Sequence, residues 1–310
     1  MRTKGTIKPS TIITADWHLR EDQPVAWTED YWTAQARAIK FVKDLQEKYE
    51  CPVLIAGDIF DKWKPSPFLL AWAIDHLPNE IVAIAGQHDL PNHSLELFPK
   101  CGLKVLESAD KAKVLGERDE KMLTDSLSLP IKISASPYGT EIKKAEKTKL
   151  KTICLCHTMT WINKKPWPGC EAEDANHLMK KAYGFDIIIV GDNHQPFVVE
   201  GKEGNLLVSP GSLMRMSADQ YDHKPRVYLW YAETNTVTPV YLPIRKEAIS
   251  REHIDVAKAK NDKMEAFVKR LKDKIEIGLS FKENLKRYLM KNKTGKSVTN
   301  IVWESLEDED

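Results

Sequence analysis

Three short runs along the chain are apolar at nearly every position: Ser10–Asp16, Pro52–Gly57 and Glu80–Gly86. Unbroken, β-branched runs of this length predict strands buried on both faces, as in a parallel sheet. Between the first two, Tyr31, Ala34, Ala38, Val42, Leu45 and Tyr49 recur every three or four residues. That spacing predicts an amphipathic helix, with Thr28 as its N-cap and Glu29 and Asp30 in its first turn. Pro65–Leu77 predicts a second helix, so the chain opens β-α-β-α-β, and such sheets hold ligands at the carboxyl ends of their strands. Shorter mixed strands at Lys104–Glu107 and Ile131–Ser136 begin a second layer. A strand at Thr152–Cys156, a helix near Asp174–Tyr183 and a strand at Asp186–Val190 follow, and 197–244 alternates like an antiparallel meander. The expected fold is α/β: a two-layer β-sandwich flanked by helices, with a small helical C-terminal appendage.

The appendage is marked by composition. Residues 251–300 hold 14 Lys and Arg against 7 Asp and Glu, an excess of 14 − 7 = +7, whereas 301–310 hold five acids and no base. A boundary near 248 divides the 310 residues into an expected catalytic domain, 1–247, and a basic helical segment with an acidic tail, 248–310. The formal net charge of the whole chain is only +1, so any polyanion partner must be met by local charge. Five scattered cysteines lack the spacing of a disulfide framework and read as reduced thiols. Cys154 and Cys156 lie two apart on one strand face and read as small core residues, a soft-metal site being the lesser alternative. The apolar runs are too short to span a membrane and the start Met1-Arg2-Thr3-Lys4 has no apolar signal core, so a cytoplasmic protein without membrane contact is expected.

Five motifs close the apolar runs: Asp16-Trp17-His18, Gly57-Asp58-Ile59-Phe60-Asp61, Gly86-Gln87-His88-Asp89, Cys156-His157-Thr158 and Gly191-Asp192-Asn193-His194. Singly each is weak. An isolated Asp-x-His is seldom a metal site, Asp58 could be a helix cap, and a lone strand-end histidine is more often structural. In series they supply a bridging carboxylate with Asp, His and amide ligands, the donor set by which two divalent cations about 3.5–4 Å apart bind a phosphodiester and activate water. Asp61 reads as a turn residue behind the site. His88 beside Asp89 offers an imidazole oriented by a carboxylate, suited to protonating a leaving oxygen.

The series resembles the calcineurin-like metallophosphoesterase family, whose motifs run Asp-x-His, Gly-Asp-x-x-Asp, Gly-Asn-His-Asp, a strand-end His and Gly-His-x-His, over roughly residues 10–245. Gly57–Asp61 and Ser209-Pro-Gly-Ser-Leu-Met-Arg-Met-Ser217 are similar to the SbcD-type DNA repair exonucleases in particular. The resemblance implies one metal on Asp16, His18, Asp58 and His194, a second on Asp58, Gln87, His157 and Asp192, and His88 as the catalytic histidine. It also implies Arg215 near the substrate. Two positions depart from the family: Gln87 stands for Asn and Asp192 for His, both at the second metal. A third carboxylate favours Mn²⁺ or Mg²⁺ over Zn²⁺.

Other signals are smaller. Thr160–Trp167 interleaves Trp161 and Trp167 with Lys164 and Lys165 beside His157, either to stack a base and touch phosphate or simply to pack the loop. Thr294-Gly-Lys-Ser297 ends like a phosphate loop, but Met290 stands where the first Gly belongs, and the match is rejected. Pro67–Trp72 is an unusually apolar helix, core by its composition and, by the resemblance, in part a homodimer contact. The basic 251–300 segment is expected either to be solvated or, by resemblance, to cap DNA or bind an SbcC-type ATPase. The expected activity is divalent-metal-dependent hydrolysis of DNA, as exonuclease and single-strand endonuclease. The alternatives are a small-molecule phosphoesterase of the same fold and an impaired subunit that only binds DNA or an ATPase.

Overall fold

The computed structural model describes residues 8–117, 119–123, 130–142, 144–146, 148–167, 169–250, 264 and 281–307. The chain divides into two compact units, Met1–Arg251 and Glu252–Asp310.

In the first unit, β1 (Thr11–Thr14), α1 (Tyr31–Tyr49), β2 (Val53–Ile55), α2 (Pro67–His76), β3 (Ile81–Ile84), α3 (Gly102–Ser108) and β4 (Ala112–Leu115) alternate. The four strands pair in parallel, in the order of the chain. β5 (Glu120–Leu123), β6 (Ile131–Ser136), β7 (Lys151–His157), β8 (Thr160–Trp161), β9 (Glu173–Asp174), α4 (Ala175–Lys181), β10 (Ile187–Gly191), β11 (Phe197–Glu200), β12 (Leu206–Ser209), β13 (Arg226–Tyr231) and β14 (Thr236–Tyr241) follow. They complete two six-stranded sheets, β14-β13-β1-β2-β3-β4 and β11-β12-β10-β7-β6-β5, while β8 and β9 form a separate ribbon.

The unbroken apolar runs have two destinations. Ile13, Leu54, Val82 and Ile84 face Ile133, Ile153, Leu155, Ile187 and Val208 of the other sheet, forming the central core. Their neighbours Ile12, Val53, Ile55 and Ala83 turn outward against Ile39 and Val42 of α1, Leu69 of α2 and Leu103 and Leu106 of α3. On the far side, Cys154, Cys156, Ile188 and Val190 pack under Leu178 and Met179 of α4. Burial on both faces is why these strands carry no polar alternation. The cysteine pair is thus core, with all five thiols free and buried.

Three expectations change. The first helix is capped by Asp30, whose carboxylate accepts from the Thr33 N–H, because Thr28 is drawn away to donate its hydroxyl to the Glu247 carbonyl. Lys104–Glu107 is helical: Leu103 and Leu106 share the buried face, and Lys104 pairs with Glu107 one turn on at 2.7 Å. The stretch 197–244 is no single meander. β11 and β12 finish the second sheet, with β12 parallel to β10, whereas β13 and β14 edge the first.

In the second unit, α5 (Phe281–Lys291) and α6 (Lys296–Glu307) are joined by a short turn. Most of the basic stretch on which DNA capping or ATPase binding was expected, 251–263 and 265–280, and the end of the acidic tail, 308–310, lie outside the described residues. Among the described residues no helix is long and apolar enough to cross a membrane.

Candidate metal centre

The five motifs converge at the carboxyl ends of β1, β2, β3, β7 and β10. After β1 and β2 the chain continues in two adjacent loops, with Asp16 N–H donating to the Gly57 carbonyl (3.1 Å) and His18 N–H to that of Asp58 (3.0 Å). Asp16, His18, Asp58 and Asp192 all hold φ between 45° and 81°. That left-handed conformation costs a side-chain-bearing residue about 1–2 kcal/mol each. Four such residues at one place mark backbone bent to aim side chains rather than to satisfy itself. The motif glycines serve the same crowding: a Cβ on Gly57, at φ +89°, would lie 2.1 Å from His157 Nδ1, and one on Gly86 would lie 2.1 Å from Asp58 Oδ1.

Asp58 is fully buried at the centre. Its Oδ1 accepts from the His88 N–H at 2.8 Å, and its Oδ2 lies 3.4 Å from His157 Nε2 and 3.7 Å from His18 Nε2 without a hydrogen-bond donor. Asp16 Oδ1 accepts from the Asp192 N–H (3.0 Å), and its Oδ2 is likewise unpartnered. His18 Nε2 and His194 Nε2 face each other at 3.1 Å. His157 Nδ1 donates to the Ala56 carbonyl (2.6 Å), and its other nitrogen, Nε2, carrying a proton in the metal-free chain, donates to Gln87 Oε1, 2.6 Å away. The Gln87 amide in turn donates through Nε2 to Asp192 Oδ1 at 2.6 Å.

Buried oxygens and imidazole nitrogens converging without donors between them are what divalent cations satisfy, and the residues present fit two such ions. Among the described residues three clusters bring their donor atoms within 4.8 Å of one another: Asp16, His18 and His194; Asp16, Asp58 and His157; and His18, Asp58 and His88. Among the described residues no thiolate joins them, so the donor set is that of hard or borderline ions.

The metal-free electrostatics express the same demand. Burial would lower the His157 imidazole, but the Asp58 carboxylate beside it lifts it to about 10. Burial would raise Asp58, and the opposing charge of His157 pulls it down to about 2. Burial pushes Asp16 up to about 7 despite His157. Burial, with His18 nearby, lowers His194 to about 4, leaving it a neutral ligand. Behind the cluster, Asp61 Oδ1 lies 3.6 Å from His18 Nδ1.

Asp16, His18, Asp58, Gln87, His88, His157, Asp192 and His194 are thus brought together, and three expected residues are placed otherwise. Asp89 does not touch the His88 ring. Its buried carboxylate accepts from the N–H groups of Ile59, Phe60 and Gly86, tying two loops, while His88 Nδ1 donates to the Asp61 carbonyl. Arg215 is 2% exposed, with its guanidinium donating to the Arg245 and Tyr221 carbonyls beside the Trp27 ring and turned away from the cluster. Lys165 donates to the Cys170 carbonyl of its own loop. Trp161 and Lys164 do line the open cleft over the cluster, a groove of about 1520 Å³. Tyr138 lines it too, beside His88 and His157, and went unnoticed in the sequence because it belongs to no motif. Its place just past the carboxyl end of β6 was the available sign.

The calcineurin-like phosphoesterase family profile matches residues 9–196. Among solved structures, a 5'-nucleotidase precursor from Thermus thermophilus is 14% identical over 83% of this chain, with a TM-score of 0.44. The chain spans 59% of that protein's length. A metallophosphoesterase from Sphaerobacter thermophilus is 12% identical over 76% of this chain and 89% of its own, with a TM-score of 0.36. No curated protein matches.

Proposed function

The chain belongs to the calcineurin-like phosphoesterase family, and on that premise we propose that it hydrolyses phosphodiester bonds of DNA, as an exonuclease of SbcD type with single-strand endonuclease action. Metal-dependent phosphoesterase chemistry is that of the family. Two divalent ions, Mn²⁺ or Mg²⁺, would supply a nucleophile at neutral pH and neutralise charge on the phosphoryl oxygens. Asp16, His18, Asp58 and His194 would hold one, and Asp58, Gln87 and His157 the other. With its Nδ1–H committed to the Asp61 carbonyl, His88 keeps Nε2 toward the leaving oxygen, and the imidazolium form would deliver its Nε2 proton there.

The observation that carries the choice of DNA is the size of the cleft. At about 1520 Å³ it exceeds the ~300–1,000 Å³ of small-molecule sites. It runs from the metal cluster past Trp161 and Trp167 to Lys224 and Arg226, offering stacking surfaces and phosphate contacts. One observation favours a second reading, a small-molecule phosphoesterase: Lys164, Lys181, Lys224 and Arg226 on the walls are matched by Glu171, Glu173, Asp192, Asp219 and Asp222. The walls are therefore of mixed charge.

The test is hydrolysis of end-labelled single- and double-stranded DNA with Mn²⁺, Mg²⁺ or EDTA, with His88→Ala excluding contaminating nuclease. Metal-dependent cutting lost in His88→Ala supports the nuclease. Silence on DNA with cleavage of a chromogenic phosphodiester supports the second reading.

A further inference from the structure

We propose that Asp192 is a positioning residue, whose carboxylate fixes the orientation of the Gln87 carboxamide and thereby turns the amide oxygen, rather than the amide N–H, into the second metal position. The inference rests on the dinuclear reading of the site and is independent of the substrate.

A glutamine amide is nearly symmetric in shape and opposite in chemistry at its two ends. Here Nε2 lies 2.6 Å from Asp192 Oδ1. The reversed amide would set two oxygen lone pairs against each other at that distance, so the carboxylate accepts only one orientation. The other end is thereby decided. In the metal-free chain Gln87 Oε1 accepts from the His157 Nε2–H at 2.6 Å, while the Nδ1–H is spent on the Ala56 carbonyl, so a cation that displaces the Nε2 proton meets the ring nitrogen and the amide oxygen together. Asp58 Oδ2, without a hydrogen-bond donor of its own, lies 3.4 Å from the same nitrogen. A reversed amide would instead point its N–H at His157 Nε2, leaving no amide oxygen there for a cation.

Asp192 is itself held to the task. Its backbone sits at φ +81° and its N–H donates to Asp16 Oδ1 at 3.0 Å. The Gln87–Asp192 contact therefore joins the loop after β3 to the loop after β10, one from each sheet. The two residues that depart from the family motifs are in contact with each other, and the longer amide reaches both partners at once.

The test is Mn²⁺ titration calorimetry on the full chain after chelator treatment, read alongside the spin-coupled signal of paired Mn²⁺ in electron paramagnetic resonance. Asp192→Gly and Asp192→Asn are compared with the unaltered chain. Glycine and asparagine both tolerate the left-handed backbone, and the affinity for the first ion reports folding in each sample. Asp192→Gly removes the acceptor, and the second ion should bind about 10–100-fold more weakly, with loss of the coupled signal. Asp192→Asn keeps an acceptor oxygen without the charge, and should retain both. If Asn weakens the second ion as much as Gly does, the charge itself is the ligand and the proposal fails. It fails equally if Gly leaves the second ion unchanged. A single ion bound by the unaltered chain overturns the dinuclear reading and the proposal with it.

Discussion

Removing metal from this site should load it with protons, and adding metal should drive them off. In the metal-free chain His157 is held protonated up to about 10 by Asp58 against the effect of burial, and burial raises Asp16 and Asp89 to about 7. A ligand must be deprotonated to bind. At pH 7, stripping His157 costs about 3 × 1.36, or roughly 4 kcal/mol, out of the metal's binding energy. Roughly one proton leaves from His157, and roughly half of one each from Asp16 and Asp89 as positive charge arrives, close to two in all. By pH 8.5 the two carboxyls are already ionised, and the count falls to roughly one. The apparent affinity should rise about 100-fold per pH unit near 7 and about tenfold near 8.5. The sign for stability is opposite: a raised imidazole stabilises the metal-free fold fully below about 6.5, and this contribution is lost as pH climbs through about 10. Calorimetry of Mn²⁺ binding in buffers of differing ionisation enthalpy measures the protons directly. His157→Gln should lower the count by one. Affinity that stays flat from pH 6.5 to 8.5, with no proton released, would refute this account of the site.

His88→Ala should reduce kcat by about 10²–10⁴-fold while both ions still bind, since its side chain is assigned a proton and not a metal; parallel loss of Mn²⁺ stoichiometry would reassign it. Arg215→Leu should lower stability by about 3 kcal/mol through the carbonyls it deserts, with KM unchanged, by urea unfolding and steady-state kinetics. A raised KM at unchanged stability would return Arg215 to the substrate. Gly57→Ala should cost about 2–5 kcal/mol, combining left-handed strain with overlap at His157, and should weaken metal binding at the same time; an unchanged urea midpoint would contradict the crowding.

The parallel strands and the convergence of the Asp and His motifs could be read from the chain because both leave unmistakable local traces. Doubly buried strands are apolar throughout, and each motif closes such a run. What escaped depends on direction rather than identity. Arg215 is a cation in a motif near the site, yet nothing in its neighbours says that its guanidinium turns inward to the Arg245 carbonyl. Asp89 follows His88 in the chain, but adjacent side chains diverge, and its carboxylate meets three backbone N–H groups of other segments. Lys104–Glu107 holds too few residues to separate a period of two from one of 3.6, and only the packing of Leu103 and Leu106 decides it. The hairpins of 197–244 show where strands lie but not which sheet accepts them. The Gln87–Asp192 contact spans 105 positions and is visible only once both loops are in place.

The proposed ligands come from both layers of the sandwich: Asp16, His18, Asp58 and Gln87 follow strands of one sheet, His157 and His194 strands of the other. Occupation of the site is therefore a clasp across the mouth of the core, closing the end where the apolar strands give way to loops. The cheapest local opening of the domain parts that mouth, and a closed clasp forbids it. Amide hydrogens at Thr14–Leu19, Ala56–Phe60 and Cys156–His157 will then exchange slowly in the loaded chain and quickly after chelation, while those of α1, on the far side of its sheet, keep one rate throughout.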